Sequence, residues 1–166
     1  ALLARDSVDL MILPTAPGSC EVHARDRGFA VMKWKNDWIS YLPATGDPLG
    51  IGLIHEAGDN EAYDVTFGTD YPDSLVQIAR LSDSPRSGEI ILSASREWDF
   101  RARYEPIPHE SSHGALHRDH MLVPLLTNRP LPSRPRRTVD VMPSALSALG
   151  IDLPSGLDGR SFFRPR

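Results

Sequence analysis

From Cys20 the chain reads Cys20-Glu21-Val22-His23-Ala24, then Phe29-Ala30-Val31-Met32-Lys33-Trp34-Lys35, then Trp38-Ile39-Ser40-Tyr41-Leu42. Apolar and polar residues alternate through all three runs. A period of two sends successive side chains to opposite faces of a strand. Arg27-Gly28 and Asn36-Asp37 are turn signals between the runs, so the stretch predicts a small antiparallel β meander. His23 falls within it and reads as a partly exposed strand residue. Gly46-Asp47-Pro48-Leu49-Gly50 closes the meander.

Upstream, Val8, Leu10, Met11, Ile12 and Leu13 make a compact apolar run ended by Pro14, which predicts a buried strand over Ser7 to Leu13. Ala1 to Arg5 reads as the last turn of a helix, which suggests that something precedes it. Downstream, Gly58 to Thr69 is polar and turn-rich. Thr69 or Asp70 can cap a helix with Pro72 in its first turn and Leu75, Val76, Ile78, Ala79 and Leu81 on its apolar face. Glu89 to Ala94 and Met121 to Leu126 are short, continuously apolar runs, as expected of strands covered on both faces. Asn128 to Arg137 is rich in Pro and Arg and predicts a solvated connector. A last helix is expected from Asp140 to a Gly150 cap, with Val141, Leu146 and Leu149 inward.

The 166 residues suffice for one domain with a sizeable core, at 40% hydrophobic and 24% charged. The formal net charge of -4 gives no reason to expect nucleic acid as a partner. No run reaches the roughly eighteen apolar residues of a membrane span, and the amino terminus lacks the features of a secretory signal. A soluble chain is expected, with no compartment indicated. The single cysteine, Cys20, excludes an internal disulfide and is expected to be buried and inert.

Four of the six histidines fall between His109 and His120, in His109-Glu110-Ser111-Ser112-His113-Gly114-Ala115-Leu116-His117-Arg118-Asp119-His120. Imidazole titrates near neutrality and ligates zinc, so the cluster points to metal or proton-transfer chemistry. His109 to His113 matches the zinc-protease pattern H-E-x-x-H, which requires both histidines on one helix face. Pro106 and Pro108 just upstream, with Ser111, Ser112 and Gly114, oppose such a helix. No glutamate follows Glu110 to act as a third ligand.

The carboxyl-terminal sequence offers a second reading. Arg137-Thr138-Val139-Asp140-Val141-Met142-Pro143-Ser144-Ala145-Leu146-Ser147-Ala148-Leu149-Gly150-Ile151, with Leu157-Asp158-Gly159-Arg160-Ser161-Phe162 after it, resembles the closing segment of alkaline-phosphatase-superfamily enzymes. The type I phosphodiesterase/nucleotide pyrophosphatase branch is the most similar. There, a late His-Gly supplies a metal ligand and a Val-Pro-Leu strand follows, as His113-Gly114 and Val123-Pro124-Leu125 do here. The resemblance is carried by Ser111 to Phe163.

That resemblance implies an α/β fold: the carboxyl-terminal part of a mixed sheet flanked by helices, with the antiparallel meander as an insertion. Residues 1–19 would be an edge of the core sheet, 20–66 a β-rich insertion or lid, and 67–166 the core segment with the histidine motif. It implies His113 as a ligand to one of two zinc ions, with His109, Glu110, His117, Asp119 and His120 behind the metal or facing substrate. Glu110 or Asp119 would orient the His113 ring. Substrate would be a small phosphoester, and the main partner the remainder of the catalytic domain. The family's early nucleophile, its D-x-x-x-H pair and its D-H-G pair have no counterpart in this chain. One histidine cannot hold zinc tightly, so the expectation is a segment of a metal-dependent phosphodiesterase, inactive alone. A non-catalytic domain on the same scaffold is the alternative, and the zinc protease a third.

Overall fold

The computed structural model describes residues 2–100, 113–131 and 137–163. The chain forms two compact units that divide between Val123 and Pro124. In the first, six strands make one sheet: β1 (Val8–Ala16), β2 (Ser19–Ala24), β3 (Gly28–Lys35), β4 (Trp38–Gly46), β5 (Ile54–Gly58) and β6 (Ile91–Ala94). Their order is β5-β4-β3-β2-β1-β6, and every described pairing is antiparallel.

Helices and sheet occur together, as expected, but among the described residues the sheet is antiparallel throughout rather than mixed. Short connections join β1 to β4 in succession, and a tight hairpin can only return a strand antiparallel. β1 therefore belongs to the same sheet as the meander. The meander also gains a strand, β5, that alternation did not reveal. Pro14 lies inside β1 and Pro43 inside β4, each at a register shift, where a bulge relieves the ladder of its missing donor. At the β3–β4 pairing Gly28 faces Gly46 with φ +86°, and a Cβ at Gly28 would stand 1.5 Å from the Thr45 carbonyl oxygen. Only glycine fits there.

Alternation decides which face is covered. Leu10 and Ile12 of β1, Cys20 and Val22 of β2, Met32 of β3 and Tyr41 of β4 lie in one buried cluster. Helices α1 (Asp59–Phe67) and α2 (Ser74–Asp83) complete it through Ala62, Leu75, Val76 and Ile78. Each large apolar side chain so buried contributes about 1.5–3 kcal/mol. α1 forms where the sequence predicts a polar, turn-rich stretch: only Ala62, Tyr63 and Thr66 are buried in it, and no apolar stripe announces it. α2 begins later than expected, at Ser74, because Asp73 before it adopts φ +59° and donates its N–H to Thr66 Oγ1 at 2.9 Å. Leu81 is exposed rather than part of the core.

Cys20 is buried, and burial pushes its thiol up to about 12. His23 is part-buried, stacks on Phe29 at 5.2 Å between ring centroids, and bonds Glu21 at 2.8 Å. Asp47 organises the exit from β4: its carboxylate accepts from Tyr41 Oη at 2.7 Å and from the N–H groups of Leu49, Gly50 and Gly52 at 3.3, 2.9 and 2.7 Å. Burial would raise the Asp47 pKa, but the Tyr41 hydroxyl and those N–H groups outweigh it and lower it. Burial and the bond to Asp47 raise the Tyr41 hydroxyl.

β6, expected inside a sheet covered on both faces, is the end strand beside β1 among the described residues. Its apolar run serves a cleft instead, described below. The Met121–Leu126 run is not a strand either. Met121 ends a one-turn helix, α3 (Arg118–Met121), and Leu122 to Leu126 are exposed and outside any helix or strand. No described helix is long and apolar enough to cross a membrane.

The second unit contains helix α4 (Val141–Leu149), preceded by a 3-10 turn at Thr138–Asp140 and ended by Gly150 at φ +73°. The bounds match expectation, but the face does not: Pro143 and Ser144 are buried, whereas Val141 and Leu149 are exposed. Short polar groups explain this. Asp140 Oδ1 accepts from Arg160 N–H at 2.9 Å and its Oδ2 from Arg137 N–H at 3.2 Å. Ser144 Oγ donates to the Asp140 carbonyl at 2.6 Å and accepts from Phe162 N–H at 3.0 Å. A Cβ at Gly159 would stand 2.0 Å from the Val139 carbonyl oxygen. The residues that carry the tail resemblance thus staple the start of α4 to Arg160 and Phe162. Of the predicted connector Asn128 to Arg137, residues 132–136 lie outside the described set.

Candidate functional site

The segment from His113 to Met121 is anchored at three points. Leu116 N–H donates to Ser93 Oγ of β6 at 3.0 Å, and Ser93 is buried. Arg118 N–H donates to the Asp70 carbonyl at 2.8 Å, and the Arg118 guanidinium to the Thr69 carbonyl at 3.1 Å. Ala115, just before these anchors, is buried. Gly114, at φ +108°, turns the chain in a conformation that L side chains rarely adopt.

This corner separates the histidines. His113 is exposed and lies outside any helix. His120, on α3, borders the same two clefts as His113. Its Nδ1 accepts from Ala115 N–H at 3.4 Å, which leaves Nε2 to carry the proton of the neutral ring. His117 caps α3, its Nδ1 accepting from Asp119 N–H at 3.4 Å, and meets the Tyr71 ring edge-on at 6.1 Å. Asp119, expected to orient His113, instead pairs with Arg96 and lies 3.7 Å from His117 Nδ1. His109 and Glu110 lie outside the described residues.

Beneath His117, Tyr71 joins an ionic cluster. Tyr71 donates to Asp9 at 2.8 Å and accepts from Arg27, which also pairs with Asp9. Burial, together with the Asp9 carboxylate, pushes the Tyr71 hydroxyl up to about 12 against the lowering effect of Arg27. It is a neutral donor at physiological pH, suited to fixing the loop before α2 rather than to proton transfer.

The larger cleft has a volume of about 710 Å³. Ile12 and Ile91 of the sheet, Ile78 and Leu81 of α2, and Leu116 and Met121 form its apolar walls, with His113 and His120 also on its lining. The smaller, about 150 Å³, is lined by Trp98, Asp99 and Phe100 together with the same two histidines. The pairing of His113 with His120 was not legible, since a spacing of seven residues becomes a shared cleft only through the Gly114 corner. Nor was Ser93, whose hydroxyl sits in an apolar run and is needed for anchoring.

A zinc ion held by protein needs about three or four donors. Among the described residues no three His, Cys, Asp or Glu side chains come together to hold a metal. His113 and His120 offer the right chemistry but an incomplete set, so these residues alone do not fit the ion. Comparison of the chain with models of protein families, with curated proteins and with solved structures returns no match.

Proposed function

We propose that this chain is the carboxyl-terminal part of a metal-dependent phosphoester hydrolase of the phosphodiesterase/nucleotide pyrophosphatase type. In this reading His113 is one ligand to a divalent metal, zinc by the chemistry of its imidazole. The nucleophile and the other ligands lie outside these 166 residues. The observation that carries it is the His113 corner: an exposed imidazole turned by Gly114 beside a cleft it shares with His120. The tail resemblance supports it independently, because Asp140, Ser144 and Gly159 have definite structural duties in the second unit.

A bound metal would supply charge for a developing phosphoryl transition state. This chain's own part is to hold the segment that carries the imidazole, through the bonds from Leu116 to Ser93 and from Arg118 to Asp70 and Thr69. The test is made in the full-length protein, by metal analysis and hydrolysis of a phosphodiester such as bis-p-nitrophenyl phosphate. His113→Ala is expected to lose bound metal and activity together while its melting temperature in metal-free buffer stays within about 2 °C of wild type. Unchanged turnover would sink the proposal. No metal in the wild-type protein would favour a non-catalytic domain.

A further inference from the structure

We infer that the 710 Å³ cleft beside His113 and His120 receives the apolar chain of the ligand, so that the substrate is an amphiphilic phosphoester rather than a compact polar one. The phosphoester head group rests on the hydrolase reading above; the apolar chain rests on the cleft alone.

The volume falls within the range of small-molecule sites, about 300–1,000 Å³, and the walls are predominantly apolar, with Gln77, Arg80 and Ser84 also on the lining. Ile12 and Ile91 close one side, Ile78 and Leu81 the other, and Leu116 and Met121 come from the anchored segment. Leu81 remains 47% exposed on a helix whose other apolar residues are covered, because the cleft lies in front of it. The two imidazoles also border the small cleft lined by Trp98 and Phe100. They therefore stand where the two clefts meet. An anion bonded to imidazole N–H there can run its alkyl chain into the larger cleft, and each buried methylene adds about four-fold in affinity.

The test is calorimetric titration of the full-length protein, stripped of metal, with hexyl, octyl and decyl phosphate. Affinity should rise about four-fold per methylene, with a negative heat-capacity change. Leu81→Glu, a substitution at an exposed position, should weaken decyl phosphate at least ten-fold. Leu42→Glu, equally exposed on β4 at 45% but on the opposite face of the sheet from Tyr41, should leave it unchanged. No dependence on chain length, or equal binding by Leu81→Glu, overturns the inference. So does failure of the full-length protein to bind, since parent residues would then fill the cleft. Chain-length dependence in a protein that, with its metal in place, does not hydrolyse bis-p-nitrophenyl phosphate keeps the cleft and rejects the hydrolase; hydrolysis of that diester without chain-length dependence does the reverse.

Discussion

The two segments that resemble the same enzyme family are built in opposite ways. In the tail, Asp140 and Ser144 direct their side chains to nearby backbone, and Gly159 leaves room for the Val139 carbonyl. At the histidine corner the backbone is anchored and the His113 ring is left exposed. Buried polar groups that satisfy one another specify a fold, whereas an exposed imidazole on a rigid mount remains open to a ligand. Substitutions at the two places should separate stability from function.

The largest expected effect is at the corner. His113→Ala in the full-length protein should reduce phosphodiester turnover at least about a hundred-fold, since removing a metal ligand costs more than the 10–100-fold typical of residues behind one. Gly159→Val should do the opposite, destabilising the tail unit by more than about 3 kcal/mol through the clash with the Val139 carbonyl while metal binding per folded molecule stays constant. Asp140→Ala is milder, about 2 kcal/mol, because it removes two charge-assisted bonds to backbone N–H groups. Urea denaturation with metal analysis of the folded fraction distinguishes the cases. Comparable losses of metal affinity in both regions would erase the contrast.

How far these differences were legible depends on how local the controlling interactions are. The strands from Val8 to Leu42 could be read because period-two alternation and turn residues act over a few positions. α4 could be bounded by Asp140 and Gly150 for the same reason. Its inward face could not, because Ser144 is buried by a bond to Phe162, eighteen residues away. α1 lacks an apolar stripe, and the apolar residues of Glu89–Ala94 belong to the end strand of the described sheet and a cleft wall rather than a doubly covered strand. Val123-Pro124-Leu125 matches the family's strand in letters, yet those residues are exposed and unpaired in any described ladder. At the candidate site, the corner expected at His113-Gly114 is present, with Gly114 at φ +108°. The partnership of His113 with His120 and the anchoring by Ser93 required the fold.

Asp47 extends the contrast to a group whose environment favours its charge. Its folded pKa lies below the ordinary carboxyl value, about 3.9 in an unfolded chain. The stabilisation is therefore fully present above that value and fades as pH falls through the folded pKa. Asp47→Asn should cost about 1–2 kcal/mol at pH 7, held down by the partial exposure of the carboxylate. The gap to wild type should narrow between roughly pH 4 and pH 2 in denaturant titrations. A gap independent of pH would mean that shape, rather than charge, organises the exit from β4.

Cys20 provides the smallest effect and the sharpest counterpart to His113. Histidine and cysteine are both side-chain types able to ligate zinc, yet Cys20 is buried in the sheet core and its thiol is pushed up to about 12 by desolvation. A pKa raised in the folded state favours the protonated thiol, so its contribution is complete below the unfolded value of about 8.5 and declines as pH rises beyond it. Thiol reagents at pH 8 should react only at the rate of unfolding, because thiolate and access are both withheld. Diethyl pyrocarbonate should modify His113 in the folded protein on mixing. Labelling of Cys20 as fast as that of His113, with the fold intact, would show that the β1–β2 core opens readily and that the rigid mount assumed for the histidine corner does not extend to the sheet carrying it.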